Sequence, residues 1–128
     1  MTHRIMLTEA VIDVPADDVD VTRDFWAAAV GAEARPFPGH DEFVQLVGGA
    51  TPMRFGLQRL DAGSARVHLD VESDDVDAEV ERLTALGAQV VARPHSWVIL
   101  RDPAGLEFCV VPADPASARF REHSRAVD

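Results

Sequence analysis

A ten-residue segment occurs twice in this chain and constrains what it can fold into. VIDVPADDVD at Val11–Asp20 returns as HLDVESDDVD at His68–Asp77, with six of the ten positions identical. Each copy continues through a helix-like stretch to a Gly-Ala pair, at Gly31 and again at Gly87. A chain that repeats itself once at half its length contains two copies of one supersecondary unit. We therefore expect two related units with a ligand cleft between them, and the positions where the copies differ to carry function.

The first copy predicts a β-α-β-β-β unit. Its strand candidates are β-rich runs separated by turn residues, at Thr8–Val14, Glu33–Phe37, Glu42–Val47 and Met53–Leu60. Asp17 or Asp18 is suited to cap the helix after the first strand, and Gly31 to end it.

The second copy predicts the same order of elements. Its strand candidates are Arg66–Glu72, Gln89–Ala92, Trp97–Leu100 and Glu107–Val111. Asp74 is expected to cap a helix that ends at Gly87, with Val76, Val80 and Leu83 on its buried face. Glu79, Glu81 and Arg82 then fall on the opposite face of that helix.

These elements predict an α+β protein whose two βαβββ repeats form one cupped mixed sheet. A length of 128 residues favours a single domain, 1–128, with repeat one at 7–60 and repeat two at 66–112. Residues 113–128 are expected to be a polar tail that takes no part in the fold.

Alternation along the first strand of each copy separates an apolar face from a polar face. Val67, Leu69 and Val71 are expected to face the helix, which leaves His68 and Asp70 on the other side. Asp13 holds the matching position in the first copy. The polar face predicts the ligand-binding set of the protein: Asp13, His68, Asp70, Trp97, Glu107 and Cys109.

Charge and composition narrow the class of partner. A net charge of −10 disfavours nucleic acid and favours cationic small molecules, although acidity alone also keeps a protein soluble. One cysteine fits a reducing compartment, and no apolar run approaches the roughly 20 residues of a membrane span. We expect a cytoplasmic protein with no membrane partner. The absence of Lys, Asn and Tyr suggests a GC-rich bacterial genome.

Four phrases resemble the vicinal oxygen chelate superfamily, which includes glyoxalase I, extradiol dioxygenases, and fosfomycin- and bleomycin-resistance proteins. They are Phe25-Trp26, His68-Leu-Asp-Val, the run Asp77–Ala88, and Asp102-Pro-Ala-Gly-Leu-Glu-Phe-Cys-Val110. Together they are similar to the glyoxalase-like subgroup, over residues 7–112. The resemblance implies a ligand cleft between the repeats, formed within one chain or across a homodimer.

The resemblance also implies four metal-ligand positions, on the first and last strand of each unit. They correspond here to Val11, Gly56, His68 and Cys109, and only His68 is of the usual ligand type. We therefore expect no metal or other cofactor. If a divalent metal is bound after all, His68 and Glu107 are its predicted ligands.

The residues leave other chemistries open. His68 and Cys109 form one pair that could act as base and nucleophile, and Asp13 and Asp70 form another that could act as acid and base. The simplest expectation for His68 is a cleft histidine hydrogen-bonded to Asp70 or Glu107.

Three functions follow from these features. The first is a glyoxalase/bleomycin-resistance-type protein that binds a small organic ligand, favouring a cation, without a standard metal site. The second is an atypical metal-dependent enzyme of the same superfamily, a lyase, isomerase or dioxygenase. The third is a structural or regulatory partner protein, which a cleft closed by side chains would favour.

Overall fold

The computed structural model describes residues 2–128 and divides the chain into two compact units. The N-terminal unit is Glu9–His68, and the C-terminal unit is Leu69–Asp128 together with the start of the chain up to Thr8. Each unit contains a mixed sheet and a helix, in the order β-α-β-β-β. The predicted α+β class and the two βαβββ repeats are therefore confirmed.

The N-terminal unit begins in β1 (His3–Pro15), and its other elements are α1 (Val19–Val30), β2 (Glu33–Phe37), β3 (His40–Val47) and β4 (Arg54–Leu60). Its strands lie in the order β2-β3-β4-β1, with β4 parallel to β1 and the other pairs antiparallel. Asp18 occupies the N-cap position of α1 without a side-chain hydrogen bond to the helix. Gly31 ends the helix with a φ of 68°, a conformation that glycine adopts at low cost.

The C-terminal unit contains the remaining elements: β5 (Arg66–Ser73), α2 (Val76–Ala85), β6 (Gln89–Ala92), β7 (Val98–Arg101), β8 (Glu107–Pro112), α3 (Ala118–His123) and β9 (Arg125–Val127). β5 and β8 are parallel, and β8, β7 and β6 are antiparallel neighbours. Asp75 caps α2 by accepting a hydrogen bond of 3.0 Å from the Ala78 N–H. The expected cap, Asp74, instead accepts the Arg4 N–H at 2.7 Å.

Each unit packs its helix on its own apolar cluster. In the N-terminal unit, Trp26 of α1 packs on a cluster formed by Ile12, Val14, Leu46 and Leu57. In the C-terminal unit, α2 contributes Val80 to a cluster with Val98, Leu100 and Val110 of the sheet, and its Val76 and Leu83 pack against that cluster. The expected burial of Val67 is wrong, because its side chain lies near the start of β5 and is 49% exposed.

Glu79 is buried, which contradicts its predicted place on the exposed face of α2. Its Oε2 lies 2.6 Å from Nε2 of His3, and the Arg82 guanidinium donates two hydrogen bonds of 2.8 Å to its carboxylate. Burial raises the pKa of Glu79, but the hydrogen bonds and charges of Arg82 and His3 outweigh it and hold the pKa below 4.5. The cluster joins the first strand of the chain to α2.

The expectation that residues 113–128 take no part in the fold is also wrong. β9 pairs antiparallel with the start of β1, with Val127 opposite His3. Phe120 of α3 is 2% exposed, and the Arg4 guanidinium donates to the Oγ and the carbonyl oxygen of Ser124, each at 2.8 Å. The segment therefore belongs to the C-terminal unit.

We predict that Glu79→Gln lowers the free energy of unfolding at pH 7 by about 3 kcal/mol, because it leaves the partly buried Arg82 guanidinium without its counter-charge next to the buried His3. The folded-state pKa of Glu79 is depressed, so its contribution is present above the unfolded-state pKa and is lost as the pH falls through the folded-state value. Urea denaturation from pH 7 to pH 3 measures both effects. Glu81→Gln, on the exposed side of α2, is the control, and equal losses for the two variants would contradict the prediction.

Candidate functional site

A buried group of charged side chains lies in the N-terminal unit, around Asp13 of β1. Oδ1 of Asp13 lies 2.8 Å from Nδ1 of His68, and its Oδ2 accepts a hydrogen bond of 3.0 Å from Nε of Arg66. Asp13 is 1% exposed and His68 is 8% exposed. A carboxylate this deeply buried requires such donors, because transfer from water to an apolar environment is costly. Asp13 is thus a partner of His68 that the sequence did not suggest.

The contact with Asp13 determines which nitrogen of the His68 ring carries the proton. A carboxylate can only accept, so Nδ1 is the donor and Nε2 of the neutral ring keeps its lone pair. His68 can therefore accept a hydrogen bond or a proton at Nε2, or bind a metal ion there, since metal-binding histidines usually donate their other N–H to a carboxylate or carbonyl oxygen.

Two of the four ligand positions implied by the superfamily lie opposite each other in this unit and offer no donor. Val11 of β1 is the register partner of Gly56 of β4. A Cβ atom built on Gly56 would lie 2.7 Å from the carbonyl oxygen of Val44, closer than real Cβ atoms approach backbone atoms. Position 56 therefore admits no side chain without a backbone shift, and a ligand cannot simply be restored there.

The strand register places one further polar residue and one aromatic residue in the same row as Asp13, on β4 and β3. Gln58 of β4 is the register partner of Asp13, and Phe43 of β3 is the register partner of Gln58. Sequence reasoning missed both residues, although each falls on the alternation that places Asp13 away from the helix. Asp70 corresponds to Asp13 in the repeat and is paired with Cys109.

The remaining predicted residues lie in the C-terminal unit. Asp70 and Cys109 are opposite each other on β5 and β8, and their oxygen and sulfur atoms lie within 4.8 Å. Glu107 precedes Cys109 by two residues on β8, and its Oε1 lies 3.9 Å from Nη2 of Arg101. Trp97 lies just before β7 instead of starting it, and its ring centroid is 4.6 Å from that of His95.

Arginines balance the carboxylates at three places on the predicted polar face. Arg66 pairs with Asp13, Arg101 with Glu107, and Arg119 lies 4.0 Å from Glu72. Each pair brings opposite charges together, which reduces the local negative potential. The negative potential at these carboxylates is therefore weaker than the net charge of −10 suggests.

The arrangement of strands and helices in both units is that of the vicinal oxygen chelate superfamily. The model of the glyoxalase-like domain family matches residues 9–111, and the chain belongs to that family. A search of curated proteins finds no significant match. No helix within residues 2–128 is long and apolar enough to cross a membrane.

Solved structures share the fold at low sequence identity. Methylmalonyl-CoA epimerase from Mycobacterium tuberculosis has a TM-score of 0.62 and 19% identity, over 85% of this chain and 88% of that one. A variant of the Streptomyces coelicolor epimerase, in complex with 2-nitronate-propionyl-CoA, has a TM-score of 0.64 and 20% identity, over 88% and 96%. A hypothetical protein from Bacillus halodurans C-125 has a TM-score of 0.65 and 12% identity, over 88% and 97%. These matches show the fold and leave the activity open.

The four-ligand metal site that the superfamily resemblance implies does not fit this chain. Val11 has no donor atom, and position 56 has no room for one. Cys109 would bring a soft thiolate where a carboxylate is usual, so the remaining donors are a mixed set.

We predict that Gly56→Ala lowers the free energy of unfolding by about 1–3 kcal/mol, the usual cost of overpacking, because the new methyl group meets the Val44 carbonyl. Urea denaturation measures the loss. Gln58→Ala, two residues further along β4, is the matched control and should cost less. A Gly56→Ala protein as stable as the wild type would show that a side chain is tolerated at this position.

Proposed function

We propose that the chain is a glyoxalase-like protein that binds a small organic ligand, with His68 as its main polar contact and without the superfamily's four-ligand metal site. The observation that carries the proposal is the buried hydrogen bond between Asp13 and His68, which orients the ring and places the carboxylate on Nδ1. A fixed, desolvated polar group of this kind is what small-molecule sites use to orient a ligand.

The proposed ligand-binding residues are those predicted from the sequence: Asp13, His68, Asp70, Trp97, Glu107 and Cys109. Asp13 acts on the ligand through His68, because both of its oxygens are engaged within the protein. The arginines beside Asp13 and Glu107 weaken the electrostatic argument for a cationic ligand at these residues. A neutral organic ligand with a hydrogen-bond donor for Nε2 agrees better with this arrangement.

A second candidate is an atypical metal-dependent enzyme of the superfamily, a lyase, isomerase or dioxygenase. One observation favours it: a carboxylate on Nδ1 is the usual support for a histidine that binds a metal through Nε2. Asp70 and Cys109 add an oxygen and a sulfur donor that lie within 4.8 Å of each other. His68 and Glu107, the ligands predicted from the sequence, remain part of this proposal.

The ligand proposal is tested by thermal shift with three probes: benzamide as a neutral aromatic, benzamidine as its cationic analogue, and propionyl-CoA as an anionic thioester. We expect benzamide to raise the melting temperature of the wild type by about 1–3 °C at saturating concentration, and His68→Ala to abolish the shift. His123→Ala, which removes an exposed histidine of α3, is the control. A shift by propionyl-CoA alone would contradict the proposal and favour an acyl-CoA enzyme.

The metal alternative is tested by elemental analysis of protein purified without added metal. We predict less than about 0.1 equivalent of zinc, iron, manganese or nickel, because two of the superfamily's four ligand positions hold no donor. About one equivalent, lost in both His68→Ala and Cys109→Ser and retained in His95→Ala, would establish the metal site instead. Cytoplasmic location and a homodimer remain predictions from the sequence, and gel filtration with light scattering measures the latter.

A further inference from the structure

We propose that Thr8 and Glu72 form a guanidinium-binding site in the C-terminal unit, and that the chain fills this site with its own Arg119. The class of external ligand is an organic cation that carries a guanidinium or amidinium group. Such a ligand would compete with Arg119 and loosen the C-terminal segment, residues 114–128. The inference concerns residues other than His68 and Asp13, so it does not depend on the ligand proposed above.

The site consists of two acceptor oxygens of Thr8 around one planar cation, with the Glu72 carboxylate behind them. Nη1 of Arg119 donates to Oγ1 of Thr8 at 2.5 Å, and Nη2 donates to the Thr8 carbonyl oxygen at 2.8 Å. The Thr8 hydroxyl in turn donates to Oε1 of Glu72 at 2.7 Å, and that oxygen lies 4.0 Å from Nη1 of Arg119. The Thr8 hydroxyl thus donates a hydrogen bond to the Glu72 carboxylate and accepts one from the Arg119 guanidinium.

The geometry suits a forked cation better than a spherical one. Two neighbouring N–H groups of one plane reach two oxygens of the same residue, which an ammonium group cannot do with a fixed geometry. Thr8 and Glu72 are 2% and 7% exposed, so the acceptors are built into the sheet and need a partner that replaces water. An amidinium group presents the same pair of N–H donors.

The guanidinium group that fills the site belongs to α3, whereas the acceptor oxygens belong to the sheet. Arg119 lies on α3, a helix of six residues, and is 111 positions away from Thr8 in sequence. Its side chain is 29% exposed, so solvent reaches the cation side of the site. By contrast, the Arg82–Glu79 pair lies within one helix turn and moves with that helix. Displacement of Arg119 therefore removes one of the contacts that hold the C-terminal segment on the sheet.

The test uses Arg119→Ala, which empties the site, and chemical rescue with methylguanidinium. We expect the substitution to lower the melting temperature by on the order of 5 °C, since it removes two charge-assisted hydrogen bonds to the buried Thr8 and a cation from the neighbourhood of Glu72. Methylguanidinium at about 10 mM should restore about 1–2 °C if its dissociation constant is near that concentration. Methylammonium at equal ionic strength should restore none, because it lacks the fork.

Two matched variants test whether the rescue depends on the proposed site. Arg121→Ala removes an exposed arginine of the same helix, whose guanidinium donates only to the Ala116 carbonyl, and it should show no rescue. Glu72→Gln in the Arg119→Ala background removes the carboxylate, and the rescue should disappear with it. Equal rescue by both cations, or rescue that survives Glu72→Gln, would overturn the proposed site.

A measurement on the wild type covers the case in which Arg119→Ala does not fold. Hydrogen exchange of the peptide 114–128 is followed by mass spectrometry in about 100 mM methylguanidinium or methylammonium. Competition for the site predicts at least a twofold faster exchange of this segment in methylguanidinium, with the exchange of α2 unchanged. The same exchange rate in both salts would show that the cation does not displace Arg119.

Discussion

Three carboxylates are buried among residues 2–128, and the need to balance their charge shapes both units. Asp13 is held by Arg66 and His68, Glu79 by Arg82 and His3, and Glu72 by Thr8 with Arg119 nearby. Removal of one member of such a group leaves an uncompensated charge, which costs far more than the pair contributes in net stability. Because all twelve positions counted as Lys or Arg are arginines, the cationic side chains near these carboxylates are planar guanidinium groups, and His3 and His68 add imidazole rings.

The three buried groups differ in their structural role. The Glu79 group ties the first strand to α2, and the Glu72 group ties the C-terminal segment to the sheet, so both fasten ends of the chain. The Asp13 group instead presents an oriented imidazole, and Val11 and Gly56 beside it supply no metal ligand. The site chemistry is therefore more restricted than the superfamily as a whole would suggest, and it depends mainly on one histidine.

Much of the fold could be predicted from the repeat, because hydrophobic alternation and turn residues are local signals. The predicted strand Gln89–Ala92 agrees with the structure, whereas β1 begins five residues earlier than predicted. Glu79 was misplaced because helical periodicity assigns a glutamate to the solvent face, and its partner His3 lies 76 residues away. The role of residues 113–128 was missed for the same reason: their polar composition suggests a tail, while the partners Thr8 and Arg4 lie at the other end of the chain.

The sequence predicted which residues belong to the candidate site better than it predicted the contacts between them. Asp13 and His68 were both expected on polar strand faces, but no sequence pattern gives the hydrogen bond between strands 55 positions apart. Gln58 became visible only through the register of the parallel strands β1 and β4, and Phe43 only through the register of the antiparallel strands β3 and β4.

The pairing of β9 with the start of β1 has a consequence for how this chain could be rearranged. Val127 lies opposite His3, so these two positions are neighbours on adjacent strands, and a linker of a few residues would join them. New ends could be opened in the exposed loop at residues 61–65, between the two repeats. In such a circular permutant the C-terminal unit, now assembled from both ends of the sequence, would become a single uninterrupted stretch of polypeptide.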